Sequence, residues 1–370
     1  MKRVGVESRP KEDLLASDFF SSRRSVSDAV AAMAVSASPW ADAAPIEAEL
    51  FSAEKLEQQG RNAAGAYAVV SGAPRHRALA RRLDDNAAAL RQAYDLLARA
   101  AAARETVSPA SEWLIDNYHI VERQIRDIRV DLPAGFYRRL PKLADGPLRG
   151  YPRILSVAWT YIAHSASRFD PDLLCRFVRA YQQIRPLTIG ELWAIPITLR
   201  ILLVENMRRC AASFLSAREA RARAASSAER LLHAATQGPD ALTNALAGLR
   251  TQRLEDSFVV ELALRLRDQS QSVAPALSWL DERMAFERTS VDDAVRAEQQ
   301  REISSTILVR NIVTSMRFIG DVDWRDLVER MSLVDDVLRT SPGYARMDFP
   351  TRNLYRTAIE EIARGAEHSE

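Results

Sequence analysis

Residues 184–209 read IRPLTIGELWAIPITLRILLVENMRR, and the fold is decided by how this stretch is disposed. Thr188 and Glu191 have the T-x-x-E spacing of a capping box, in which each side chain takes up a backbone N–H left orphaned at a helix start. A helix therefore begins here. At about 100° per residue, Glu191, Thr198, Glu205 and Arg209 fall on one narrow stripe, while Leu192, Trp193, Ile195, Ile197, Leu199 and the run Ile201 to Val204 cover almost everything else. Such a helix must be buried nearly all round. Pro196 deletes an interior hydrogen bond and is expected to kink it. Arg200 points opposite the polar stripe, into what ought to be core. A buried guanidinium needs a carboxylate or several carbonyls, so a partner is expected elsewhere, in a structural ion pair or at a ligand.

The surrounding composition is that of a globular protein. A chain of 370 residues with 47% hydrophobic content can fill two or three domains of ordinary size. The net charge of +2 lacks the basic excess that phosphate-backbone binding exploits, which argues against nucleic acid as a partner. Only four basic residues are lysines (Lys2, Lys11, Lys55, Lys142) and the other 47 are arginines, a bias that with the alanine excess points to coding composition. Cys175 and Cys210 stand far apart with no CxxC, so both are expected reduced and partly buried. No run of about 18 uncharged apolar residues is present to cross a membrane, and the N-terminus lacks the pattern of a signal peptide.

Outward from the central helix, strand signals are nearly absent and the expected fold class is all-α, an irregular array of helical bundles without a fixed repeat. Residues 1–45 are expected to form a disordered arm. Residues 46–236 form a first helical domain with its core in 83–210, and residues 241–370 a second, divided at Gln237-Gly-Pro-Asp240. Helices are predicted over 45–59, 83–104, 111–129, 152–167 and 171–184. The central helix runs on, frayed or broken, through the Ala/Arg-rich 211–235. Others follow over 257–269, 273–287, 290–318, 324–339 and 351–364. Residues 60–77 read as a loop. Asp131 to Leu143, DLPAGFYRRLPKL, is too apolar for a linker and must pack on the helices or meet a partner.

Chemistry finds little to stand on. There is no GxSxG, P-loop or GxGxxG, no metal-ligand spacing among the five histidines, and no cofactor motif. Asp321-Val-Asp323 has the form of a nucleotide-sugar D-x-D, but Asp323 reads better as the N-cap of a helix starting at Trp324. Glu112, Asp116, Glu191 and Glu205 are read as salt-bridge partners for Arg123, Arg126 or Arg200 in preference to catalytic carboxylates. Trp113, Trp159 and Trp193 are read as core ahead of a sugar-stacking platform. No catalytic residue and no metal ligand are assigned.

Several phrases taken together carry a resemblance. They are Ser111 to Arg126 (SEWLIDNYHIVERQIR), Asp131 to Leu143, Gly150 to Arg153, Pro186 to Pro196, Glu205 to Arg209, Val309 to Arg317, Ser332 to Asp335 and Met347 to Arg356. In order, and over about Pro45 to the end, they resemble the N-terminal region of the cyclic β-1,2-glucan synthases, large bacterial inner-membrane enzymes that polymerise glucose from UDP-glucose and close the chain into a ring. In that family the glycosyltransferase domain, membrane helices and phosphorylase-like part lie downstream. The resemblance therefore carries no catalytic residue onto this sequence, and the end at Glu370 is expected to reflect a fragment, a truncated frame or an excised domain. The leading reading is a non-catalytic, cytoplasmic scaffold for the transferase and membrane domain of the same synthase, held at the cytoplasmic face of the inner membrane. The alternative is a free-standing helical protein that binds a glucan, UDP-glucose or a protein partner. The residues expected at the contact are Phe136, Tyr137, Arg138, Lys142, Trp193 and Arg200, loop aromatics and basic groups of the kind that suit interfaces.

Overall fold

Why the 184–209 stretch needs so much company is plain in the computed structural model, which describes residues 40, 43–70, 79–132, 135–267, 269, 271–366 and 370. Ahead of it come α1 (Ala53–Ala66), β1 (Val69–Val70), α2 (Leu79–Ala102), α3 (Pro109–Asp116), α4 (Tyr118–Asp131), α5 (Phe136–Arg139), β2 (Lys142–Leu143), α6 (Arg153–His164) and α7 (Pro171–Gln182). Then α8 runs unbroken from Ile189 to Gln237, 49 residues, about 74 Å at 1.5 Å per residue. It is followed by α9 (Pro239–Ala247), α10 (Asp256–Arg267), α11 (Ala274–Phe286), α12 (Val291–Asp321), α13 (Trp324–Met331), α14 (Leu333–Leu338), α15 (Pro342–Ala345) and α16 (Phe349–Gly365). The only sheet among the described residues is the antiparallel pair β1–β2, with Val69 opposite Leu143. The protein is all-α.

The capping box forms as its sequence dictates. Thr188 Oγ1 accepts from the Glu191 N–H at 3.2 Å, and Glu191 Oε2 accepts from the Thr188 N–H at 3.0 Å. The rest of α8 departs from expectation, because no break follows residue 210. Alanine and arginine are among the best helix formers, and Ala220, Ala224, Ser227, Ala228 and Leu231 present a small, buried stripe against which α10 packs. The helix ends only at Gly238, whose φ of 124° turns the chain into α9.

Two hydrophobic clusters lie along this helix. The first gathers α1 to α7 around Leu192 to Phe214 and takes in Leu308 to Ile319 of α12 and Leu327 to Met331 of α13. The second packs α9, α10 and α11 around Ala220 to Leu231 and takes in Val291 and Ala294 of α12. Thus α8 and α12 each belong to both. The expected arm over 1–45 falls outside the described residues except for Trp40 and residues 43–45.

Polar side chains explain the other departures. The helix predicted over 111–129 is two, because Asn117 turns its amide onto the Trp113 carbonyl at 2.9 Å and leaves helical geometry. That predicted over 324–339 is also two, divided at Ser332, whose hydroxyl accepts from the Asp335 N–H at 3.1 Å and so starts α14. Asp323 caps α13, accepting from the Arg325 N–H at 3.0 Å, as read from the sequence. The helix predicted over 45–59 begins instead at Ser52 and runs through Gly60 and Gly65 to Ala66, taking part of the predicted 60–77 loop.

Gly60 is there for closeness. A Cβ on it would lie 2.8 Å from the Phe177 carbonyl of α7, whereas one on Gly65 would meet nothing within 4 Å. Alanine gains up to about 1 kcal/mol over glycine in a helix interior, so the two substitutions should diverge. Gly65→Ala should raise the urea midpoint, and Gly60→Ala should lower stability by about 1–3 kcal/mol through overpacking. Equal midpoint shifts would show that α1 and α7 are free to move apart.

Candidate functional site

The polar stripe of α8 is as buried as its apolar sides. Glu191, Thr198 and Glu205 are each 0% exposed, and each meets a group brought in from a distant segment. Arg153, at the start of α6, donates through Nε to Glu191 Oε1 at 2.8 Å and through Nη2 to the other carboxylate oxygen, with the Pro186 carbonyl as a further acceptor at 3.0 Å. Tyr137 and Thr198 share a hydrogen bond of 2.5 Å, and burial pushes the phenol well above its ordinary range.

Glu205 has the densest surroundings. Arg82 of α2 binds it bidentately at 2.8 and 2.9 Å, Asn86 donates at 2.8 Å, and Arg208 and Arg209 donate at 3.0 and 2.8 Å. Two of these arginines lie over indole rings, Arg82 over Trp40 at 5.3 Å and Arg209 over Trp159 at 5.2 Å. Arg209 also reaches the Ala44 carbonyl at 2.9 Å. Burial alone would raise the Glu205 pKa, but hydrogen bonds from Arg82 and Arg209 outweigh it and hold the carboxyl down at about 2.

A further cluster lies near the C-terminal end. Arg356 of α16, 1% exposed, donates to Asp335 at 2.9 and 2.8 Å and also to Glu329, which Arg352 grips at 3.0 and 2.8 Å and Arg339 at 2.6 Å. Tyr344 donates to Asp335 at 2.8 Å. Burial raises the Asp335 pKa, yet the Arg356, Tyr344 and Ser332 hydrogen bonds leave it below its ordinary value. Sequence reading missed this cluster. Its signal was Ser332-Leu-Val-Asp335, a cap spacing with an acid that the helix itself does not need.

None of these carboxylates is poised for acid–base work. Each is saturated by guanidinium groups, and Glu191 and Glu205, 14 residues apart on one helix, stand about 21 Å apart along its axis. Paired glycosidic carboxylates lie within about 5–10 Å of each other. Their partners are Arg153 and the Arg82/Arg208/Arg209 set, which corrects the assignment to Arg123, Arg126 or Arg200. Glu112 and Asp116 are exposed. Both cysteines are free and buried, and burial raises each thiol pKa. Among the described residues no group of three or more His, Cys, Asp or Glu could hold a metal ion.

The expected contact residues are placed as follows. Tyr137 and Lys142 are buried, the first under α8 and the second in β2 against Val70, so these two residues of the segment face the body of the protein. The side chains of Phe136 and Arg138 lie outside the described residues. Arg200 has the carboxylate partner expected of it, Asp131 at the end of α4 at 3.2 Å, but with side chains 15% and 55% exposed the pair lies at the edge of the fold and not in the core. Trp193 is half-buried and meets Phe349 of α16 edge-on, with centroids 6.1 Å apart. Beside that pair lies a cavity of about 310 Å³, whose wall includes Trp193, Phe349, Asn353, Arg356 and Glu360. Among the described residues no ring contact joins Trp113, Trp159 and Trp193, so they make no common platform; each packs against the first cluster.

Comparison with known proteins bears on this geometry. Over 316 residues, 85% of this chain, the sequence is 35% identical to "Cyclic beta-(1,2)-glucan synthase NdvB" of Rhizobium meliloti (strain 1021). The match falls in the N-terminal region of that larger synthase, and the chain spans 11% of its length. No family model matches.

The two kinds of arginine pair should separate on mutation. Glu205→Gln leaves three guanidinium groups facing a neutral amide and should cost about 3–5 kcal/mol at pH 7, while Arg200→Ala, whose partner is already solvated, should cost about 1 kcal/mol or less. The Glu205 carboxyl is depressed on folding from 4.5 to about 2. Its contribution is therefore full above pH 4.5 and is lost as pH falls towards 2, and is worth about 3 kcal/mol. Urea titrations of wild type and Glu205→Gln should differ most near neutral pH and converge in acid; a gap independent of pH would refute the paired carboxylate.

Proposed function

We propose that this chain is the helical N-terminal part of a cyclic β-(1,2)-glucan synthase and serves as a scaffold for the transferase region of that enzyme, without catalysis of its own. The observation that carries this reading is the 35% identity along 85% of the chain to the N-terminal region of a protein of which the match covers 11%. The saturated carboxylates support the absence of catalysis. Among the described residues no helix is long and apolar enough to cross a membrane, which accords with a role at the cytoplasmic face of the inner membrane beside spanning segments elsewhere in the enzyme.

The surface best suited to the contact is on α16. Leu354, Tyr355 and Ile362 are exposed at 69%, 47% and 71%, and helical spacing puts all three on one stripe with Ala358. The opposite face carries Phe349, Asn353, Arg356 and Glu360 and is the side held to the body. A helix whose outward face is apolar and whose inward face is fixed by ion pairs is built to be covered. The transferase region is the occupant we assign to it. With Tyr137 and Lys142 buried, Trp193 is the expected contact residue nearest to this helix.

A chimera tests the reading. Replacing the matched region of the Rhizobium meliloti synthase with residues 1–370 should preserve cyclic glucan formation in membranes. Deleting the region should abolish it, and Leu354→Asp with Ile362→Asp in the chimera should remove most of it while the isolated chain keeps its melting temperature. Full glucan formation by the deletion would sink the scaffold role.

A further inference from the structure

Ion pairs cross the seam between α2 and α4 like rungs, and one rung is incomplete. Arg129 of α4 pairs with Asp84 of α2 at 2.8 Å, and Glu122 of α4 pairs with Arg91 of α2 at 2.8 Å. The two helices are therefore antiparallel here. Beyond the second rung Tyr118 stacks on Tyr94, with centroids 4.2 Å apart. In the same register Arg126 stands opposite Ala87, which has no carboxylate to offer. Arg126 is exposed and makes no ion pair or hydrogen bond among the described residues. The small Ala87 side chain also leaves a hollow between the rungs, a groove of about 360 Å³ whose wall includes Ala87, Tyr118, Ile125 and Arg126.

A second donor meets the groove further along α4. Tyr118 is 5% exposed, its hydroxyl makes no hydrogen bond among the described residues, and that oxygen is not one of the polar atoms sealed from solvent. The surface that Tyr118 reaches is the wall of this groove. Burial and the Glu122 charge push the phenol up to about 12, so it keeps its proton at ordinary pH and can donate it. Tyr118 and Arg126 are about 12 Å apart along the helix axis. A lone phosphate or carboxylate is too small to meet both.

We propose that this seam is a docking groove for an acidic peptide segment of a partner protein, with one carboxylate completing the rung at Arg126 and a second accepting from the Tyr118 hydroxyl. The wall carries Arg91, Arg126 and Arg129 against Glu122 alone, a positive excess that complements such a segment. In an extended strand, side chains four residues apart share a face and lie about 13 Å from each other, which matches the two donors. The side chain midway between them faces Ile125 and Ala87 and is therefore apolar. Nucleic acid fits less well, because its backbone offers no such apolar group and the chain as a whole carries a charge of only +2. The proposal does not rest on the scaffold reading, since it concerns α2 and α4 and not the outer face of α16.

Fluorescence anisotropy with the full chain and the labelled pentapeptide Glu-Gln-Leu-Gln-Glu tests it, at low ionic strength where exposed charges are screened least. The peptide should bind about tenfold or more tighter than a copy with glutamine in place of both glutamates. Arg126→Gln and Ala87→Glu should each weaken it about tenfold or more, the second because the chain then supplies the missing carboxylate itself. Tyr118→Phe removes only the hydroxyl and should weaken it about threefold to tenfold. Arg126→Gln changes an exposed side chain with no partner in the fold and should melt as wild type does, which separates loss of the groove from loss of fold. Arg310→Gln, exposed on α12, should bind as wild type. The proposal is overturned if the acidic and neutral peptides bind alike, if binding survives Arg126→Gln and Ala87→Glu, or if inorganic phosphate or an oligothymidylate displaces the peptide as well as unlabelled peptide does.

Discussion

The structure depends on one constraint: a helix that is apolar on nearly every side still carries Glu191, Thr198, Glu205 and Arg209, and burying these requires a partner for each. The partners come from far along the chain. Arg153 arrives with α6, Tyr137 with α5, and Arg82 and Asn86 with α2, while the carbonyls of Trp40 and Ala44 close the Glu205 cluster from the N-terminal side. Hydrophobic burial would tolerate several rotations of α8 within its bundle. The charges do not, because any other rotation strands a carboxylate among hydrocarbon. Non-directional burial supplies most of the stability, and the ion pairs choose among otherwise similar packings.

Much of this was legible in advance. The capping box at Thr188, the nearly all-round burial of residues 189–209, the all-α class and the cap at Asp323 follow from spacing and local hydrogen bonding, which sequence records directly. What escaped has a common cause. The Arg200 expectation assumed that an arginine opposite the polar stripe must face the core; in the fold the stripe faces inward, and Arg200 reaches along the flank to Asp131. Periodicity shows which residues share a face but not what that face meets. Likewise the sequence held Glu205 and Arg82 without saying that they pair across 123 positions. The breaks at Asn117 and Ser332 were readable in principle, from side chains whose amide or hydroxyl competes with the helix backbone.

The phrases that carry the resemblance meet one another in space. Arg153 ends one and Glu191 sits in another; Asn117 of the first accepts from Arg317 of the sixth at 2.6 Å; Asp335 and Arg356 close the last two phrases and bind each other. Ser315, again in the sixth phrase, takes the Phe169 N–H at 2.8 Å and gives its own proton to the Ser167 carbonyl. Stretches that look unrelated along the chain are thus two halves of the same buried polar contacts. The phrases that carry the resemblance thus meet in the interior of the fold.

The sharing of α8 and α12 between the two clusters has a consequence for how the chain loosens. Had the clusters been joined by a single loop, each could open alone, and amide exchange would sort the backbone into two populations with separate opening free energies. Here melting either cluster would leave half of a 49-residue helix and part of a 31-residue one without a surface to lie on. Solitary helical halves of that kind are marginal in water, so opening on one side draws the other with it. The chain should behave as a single cooperative unit despite its size, and a bond formed at one end of α8 is felt as resistance to opening at the other.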